Sequence, residues 1–292
     1  MCPKLEQAIA YLQEQDANRV QEAIRLLQST VFSFSMKLCG HREDAEDTMQ
    51  DVLVSSLPHL VKIQDPRALS VWLYTVTKRR CWRNRRRSLS APAATIRLDD
   101  LIPNERELDA LVVAEANPEQ LSIEKEGSRL VHRAVLRIPP QYRIVLILHD
   151  IEDLDTTHVA EALSLRPGTV RVRLHRARLL VRREMANQLT RRTKRVDRRT
   201  YQNKTALNKS STACREVFAN LSEYLDGRME PRTCEQMRAH IEGCPQCVWF
   251  IRDLKKAIDR CHSLDLPVQE TIGLALRRRL TDEYLRLLHS PS

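Results

Sequence analysis

The reading of the chain turns on Asp155-Thr156-Thr157-His158-Val159-Ala160-Glu161-Ala162-Leu163-Ser164-Leu165-Arg166-Pro167-Gly168-Thr169-Val170-Arg171-Val172-Arg173-Leu174-His175-Arg176-Ala177-Arg178. Asp155 stands where a helix N-cap is wanted, and Val159, Ala160 and Leu163 then recur at helical spacing. Leu165-Arg166-Pro167-Gly168 reads as a tight connection into a second helix running toward Met185. In that helix Val170, Leu174, Ala177 and Val181 form one apolar stripe, which leaves Arg171, Val172, Arg173, His175, Arg176 and Arg178 on its other sides. Two short helices joined by a Gly-containing turn, the second loaded with arginine, make a helix-turn-helix whose second helix suits the DNA major groove. Arginine is the residue best shaped to grip guanine there. A structural hairpin with a solvated basic face is the plainer alternative.

Working outward, the 292 residues suggest about two domains. With 6 Gly and 4% aromatic residues the chain reads as all-α, and its 42% hydrophobic content is enough for real cores. An excess of +10 favours a polyanionic partner. No apolar run approaches the roughly 18 residues of a membrane span. The opening Met-Cys-Pro-Lys-Leu-Glu shows no signal-peptide stretch, so a cytoplasmic location is expected. In that compartment the eight cysteines are better explained as reduced or metal-bound than as disulfides.

Charge is segregated along the chain, and it marks the boundaries. Glu43 to Asp51 holds five acids and no base, and Lys78 to Arg87 has seven basic residues in ten. An acidic linker, 93–124, separates a first unit (1–92) from a second (125–189). A basic linker, 190–211, precedes a cysteine-rich third unit (212–292).

In the first unit Ala45, Met49, Val52, Leu53 and Leu57 form an apolar helical stripe, with Asp47, Gln50 and Asp51 on the exposed acidic side. The next helix turns Trp72, Leu73 and Val76 inward and then spreads Lys78, Arg79, Arg83 and Arg86 over a positive surface. With Trp72, Tyr74 and Trp82 interleaved, that surface suits phosphates and unstacked bases. In the second unit Pro139-Pro140 breaks two helices ahead of the helix-turn-helix.

Gly40-His41-Arg42-Glu43-Asp44-Ala45-Glu46-Asp47-Thr48-Met49-Gln50-Asp51-Val52 and Val71-Trp72-Leu73-Tyr74-Thr75-Val76 resemble the σ2 domain of extracytoplasmic-function sigma factors of bacterial RNA polymerase. Ile138-Pro139-Pro140-Gln141-Tyr142-Arg143, with Gly168 to Arg178, resembles their σ4 domain. The resemblance covers about residues 20 to 185. It implies that the helix of Asp47, Gln50 and Asp51 docks on core RNA polymerase. It also implies that the basic helix bearing Lys78, Arg79, Arg83 and Arg86 captures the −10 promoter element. Arg171, Val172, Arg173, His175 and Arg176 then meet the −35 element. The chain departs from the family pattern at Arg79, Arg80 and Trp82 and at Val172, so the resemblance does not carry over the family's −10 or −35 preference.

The third unit carries His240-Ile241-Glu242-Gly243-Cys244-Pro245-Gln246-Cys247, an H-x3-C-x2-C pattern. A helical histidine about one turn before a C-x2-C knuckle can place three ligands around one tetrahedral Zn²⁺. Cys214 is the obvious fourth ligand, with Cys234 or Cys261 as substitutes. The pattern resembles the zinc-binding anti-sigma fold, including its Tyr-Leu-Asp-Gly helix end at Tyr224 to Gly227. A zinc deaminase also joins a His-x-Glu to a C-x2-C, but with a long intervening insertion for the substrate pocket. Here only Gly243 intervenes, and four protein ligands leave no open position for water, so no enzyme is expected.

The resemblance implies an intramolecular partner, the zinc unit acting in cis on the sigma domains. A tail helix with Ile272, Leu276, Leu280 and Leu287 could pack on σ2. A purely structural zinc unit is the duller version. The alternative from another class is a free-standing helix-turn-helix repressor or activator, which needs no polymerase-docking face.

Overall fold

The computed structural model describes residues 3–63, 65–85, 101, 124–193, 212–264, 266 and 274–289. Among them every regular element is helical. The helices are α1 (Pro3–Gln13), α2 (Ala17–Cys39), α3 (Arg42–Leu60), α4 (Pro66–Arg85), α5 (Glu124–Arg137) and α6 (Pro140–Leu146), then a π turn (Ile147–Ile151). There follow α7 (Thr156–Leu163), α8 (Pro167–Thr193), α9 (Thr212–Leu225), α10 (Pro231–Gly243), α11 (Pro245–His262) and α12 (Leu274–His289). Most of both proposed linkers, and Arg86, lie outside the described residues.

Local chemistry sets the boundaries. The Asp16 carboxylate accepts from the Asn18 and Arg19 amides to start α2, and Gly40, in the left-handed region at φ 78°, ends it. The Arg143 guanidinium donates to the carbonyls of Leu136 and Ile138, closing the end of α5 at the proline break. Asp155 caps α7 through the amides of Thr157 and His158. The left-handed turn after α7 is made by Ser164 (φ 54°) and not by Gly168, which sits in the first turn of α8 behind Pro167. Proline at the start of a helix loses no hydrogen bond, so the sequence's turn signal was really a helix-start signal.

The chain divides into two compact units that are discontinuous in sequence. One joins 1–92, 147–170 and 265–292; the other joins 93–146 and 171–264. In the first, α2 packs between α1 and α3, and α4 and the tail helix α12 also lie against it. Its core holds Leu27, Phe34, Met49, Leu53, Leu69, Leu73 and Tyr74. Tyr74, read from sequence as part of a base-stacking surface, instead packs its ring 4.7 Å from Phe34 and is 2% exposed. Among the described α12 side chains, Arg277, Leu280, Thr281 and Tyr284 are buried, and the Arg277 Nε donates to Gln28 Oε1 at 3.0 Å. Ile272 lies outside the described residues, while Leu276 and Leu287 are half-buried, so this helix is more polar on its packed side than its leucine spacing implied.

In the second unit the stripe Val170, Leu174, Ala177 and Val181 is buried as its spacing predicts, Val170 being the last residue of the first unit. Phe218 and Phe250 meet edge to face at 4.7 Å, with Val217, Leu221 and Leu254 buried in the same unit.

Candidate nucleic-acid interface and metal centre

Helix α3 turns Ala45, Met49, Val52, Leu53 and Leu57 into the core and leaves Asp47, Gln50, Asp51 and Val54 exposed. Asp51 is ion-paired with Arg80 of α4. On α4, Arg79 and Arg83 are exposed and Trp82 is 37% exposed. Lys78 is not on that surface. Its Nζ donates to the Ala162 carbonyl at 2.7 Å, and burial with the neighbouring Arg79 charge pulls its pKa below the usual lysine value. The Thr75 hydroxyl also lies 3.2 Å from the same carbonyl. Ala162 on α7 is buried beside these contacts, and Leu163, whose helical spacing with Val159 and Ala160 pointed to the core, is only half-buried.

On α8, Arg171 and Val172 are exposed, and Arg173 and Arg176 are half-exposed. His175 is 8% exposed, with Nδ1 2.8 Å from the Ser222 hydroxyl of α9. Burial, helped by the charges of Arg178 and Arg176, pushes its pKa down to about 4, so the imidazole is neutral. One turn on, Arg178 lies 2.8 Å from the Asp226 carboxylate. After another turn the Arg182 Nε donates to Asp253 at 2.6 Å, and its guanidinium sits 4.4 Å from the centre of the Phe250 ring. Arg171 lies 3.8 Å from Glu223. Sequence reasoning missed Arg182, Asp226 and Asp253. The spacing of His175, Arg178 and Arg182 marks one stripe beside the apolar one, but nothing local to α8 says what meets it.

Three helix ends converge on the cysteine cluster. Cys214 lies in the first turn of α9, His240 in the last turn of α10 and Cys247 in the first turn of α11, while Cys244 is the extended residue between the last two. Their ligand atoms all lie within 4.8 Å of one another. Cys214 Sγ is 3.5 Å from His240 Nε2 and 3.9 Å from Cys244 Sγ, and Cys247 Sγ is 3.4 Å from His240 Nε2. A tetrahedral zinc site has sulfur–sulfur edges of about 3.8 Å and sulfur–nitrogen edges of about 3.6 Å, so these residues fit the ion. Burial and the adjacent Cys244 and Cys214 sulfurs push the Cys247 thiol up. A bound cation offsets that cost, and the helix N-terminus at Cys247 favours negative charge on its sulfur. Cys214, rather than Cys234 or Cys261, is the residue brought to the cluster.

Family models match in the order in which these surfaces occur. Sigma-70 region 2 matches residues 23–89, sigma-70 region 4 matches 128–181, and a zinc-finger family model matches 214–247. Several of the chain's curated relatives are extracytoplasmic-function sigma factors. It is 22% identical over 185 residues to the ECF RNA polymerase sigma factor SigW of Bacillus subtilis, covering 62% of this chain and 96% of that protein. It is 27% identical over 157 residues to the ECF RNA polymerase sigma factor SigE of Mycolicibacterium smegmatis, covering 54% and 58%. RNA polymerase sigma factor YlaC of Bacillus subtilis is 24% identical over 166 residues, covering 57% and 91%. In this sigma factor region 2 therefore comprises most of α2 with α3 and α4, region 4 runs from α5 into α8, and the zinc finger begins at α9. Sigma factors are initiation factors rather than an enzyme class. Among the described residues no helix is long and apolar enough to cross a membrane.

Proposed function

We propose that the chain binds core RNA polymerase in the cytoplasm and brings it to promoters, and that its C-terminal zinc module regulates it in cis. The ordered occurrence of regions 2 and 4 carries the first part. Asp47, Gln50 and Asp51, exposed on α3, meet the polymerase. Arg79 and Arg83, with Lys78 once α4 is freed and Arg86 beyond the described residues, hold the −10 strand. Arg171, Val172, Arg173 and Arg176 face the −35 duplex, with His175 joining them when α8 is uncovered. Cys214, His240, Cys244 and Cys247 hold one Zn²⁺, which fastens α9, α10 and α11 together. The side-chain pairs between α8 and the zinc module, and Arg277 against Gln28, support regulation in cis.

Run-off transcription with purified core polymerase on genomic fragments tests this. The full chain is compared with a truncation ending at Arg199 and with an Asp47→Lys, Gln50→Lys variant of each. Promoter-dependent transcript from either parent, lost in its charge variant, is expected. A higher yield from the truncation supports inhibition by the zinc module. No transcript from fragments the chain binds returns the free-standing regulator.

A further inference from the structure

Arg178 and Arg182 are 2% and 4% exposed, and each is paired with a carboxylate of the zinc module. A guanidinium so far removed from water is costly unless its charge and its N–H groups are met, and a carboxylate meets both at once. The same helix carries His175, its ring nitrogen engaged by Ser222, and Arg171, its guanidinium beside Glu223. Thus Glu223, Asp226 and Asp253 line up acidic oxygens along one arginine-rich helix, spaced over three of its turns. A DNA backbone offers that helix the same thing, a row of anionic oxygens that accept from guanidinium. Exchanging carboxylate for phosphate keeps each arginine paired, so neither state leaves a buried charge uncompensated.

We infer that the edge of the zinc module formed by Ser222, Glu223, Asp226 and Asp253 acts as a stand-in for DNA phosphates on α8, so that module and duplex DNA compete for the same helix. The inference rests on the assignment of α8 to DNA. It adds that the regulation is direct competition for that helix, in which DNA itself displaces the module.

The test uses the full chain and fluorescence anisotropy with a short, labelled, random-sequence duplex at low salt. Ser222→Tyr adds bulk at the covered face without changing charge, and should raise duplex affinity by at least about tenfold. Asn220→Tyr, on an exposed position of the same helix, should not. Asp226→Asn with Asp253→Asn should raise affinity well beyond Glu235→Gln with Asp259→Asn, a pair of exposed positions with the same charge change. Equal gains from both pairs, or none from Ser222→Tyr, overturn the competition. Circular dichroism of each variant reports whether the fold is retained, and the tyrosine and charge variants fail independently. Adding Arg173→Ala and Arg176→Ala separates the two readings. If these leave duplex binding undiminished in every background, α8 is not the DNA helix. If they abolish binding in the parent while Ser222→Tyr brings no gain, α8 reads DNA and the masking is wrong.

Discussion

The ammonium of Lys37 lies 2.9 Å from the carboxylate of Glu152, 115 residues further along the chain, and both side chains are almost wholly buried. The second oxygen of Glu152 accepts from the Tyr74 hydroxyl at 2.7 Å. A π turn makes the arrangement possible. The Glu152 amide reaches back to the Ile147 carbonyl, and the extra residue in that turn advances the side chain toward α2 and α4.

Breaking this pair leaves a buried charge without its partner. Glu152→Gln or Lys37→Met should each cost about 3–5 kcal/mol, and Tyr74→Phe about 1–2 kcal/mol. Replacing both charged residues with apolar ones of similar volume should recover part of the loss. Urea unfolding of the single and double variants gives the coupling; additive losses would mean that the two groups do not interact.

Metal analysis of the purified chain should find one zinc per molecule. Cys214→Ser and Cys247→Ser should lose it, and Cys234→Ser should keep it. Removal with a strong chelator should melt α9, α10 and α11 together, since zinc binding supplies about 10–16 kcal/mol to small domains of this kind. Retention of zinc by Cys214→Ser would shift the ligand role to another cysteine.

The neutral state of His175 gives the α8–α9 pairing a pH dependence. An uncovered imidazole takes up a proton near 6.5, whereas the covered one resists to about 4. The pairing is therefore at full strength above 6.5 and weakens as pH falls from there toward 4. In NMR titrations the His175 ring should show no transition above about pH 5 in the parent and an ordinary one in Ser222→Tyr. An ordinary transition in both would mean that the ring is not covered.

Asp155→Ala should destabilise α7 by about 1 kcal/mol, and Asp155→Asn by less. Partial burial pushes the Asp155 carboxyl up, but donation from the His158 and Thr157 amides and the His158 ring together hold it below the usual aspartate value. Its contribution is thus complete above the unfolded aspartate range and is lost as pH drops through the lowered value. Thermal unfolding from neutral to acid pH should show the parent converging on Asp155→Ala.

The helical periodicities, the N-cap at Asp155 and the knuckle spacing were all legible because each is set within one or two turns of chain. So was the apolar stripe of α8. The fate of Lys78, Tyr74 and His175 was not, because each is decided by a residue far away in sequence: Ala162, Glu152 and Ser222. A basic or aromatic side chain on a helix reads alike whether it faces solvent or a distant carbonyl. Only Gly168 misled locally, since proline at a helix start and glycine in a turn leave a similar trace.

The last helix, Leu274–His289, belongs to the same compact unit as Ala17–Cys39 and Arg42–Leu60. The zinc module is therefore fastened to sigma segments at both ends of its sequence, by the 194–211 stretch and by this tail. Its local concentration is a property of the chain and not of the cell. Under the regulation in cis proposed above, making more of the protein makes equally more of the module, so gene dosage alone leaves the balance between covered and uncovered α8 where it was.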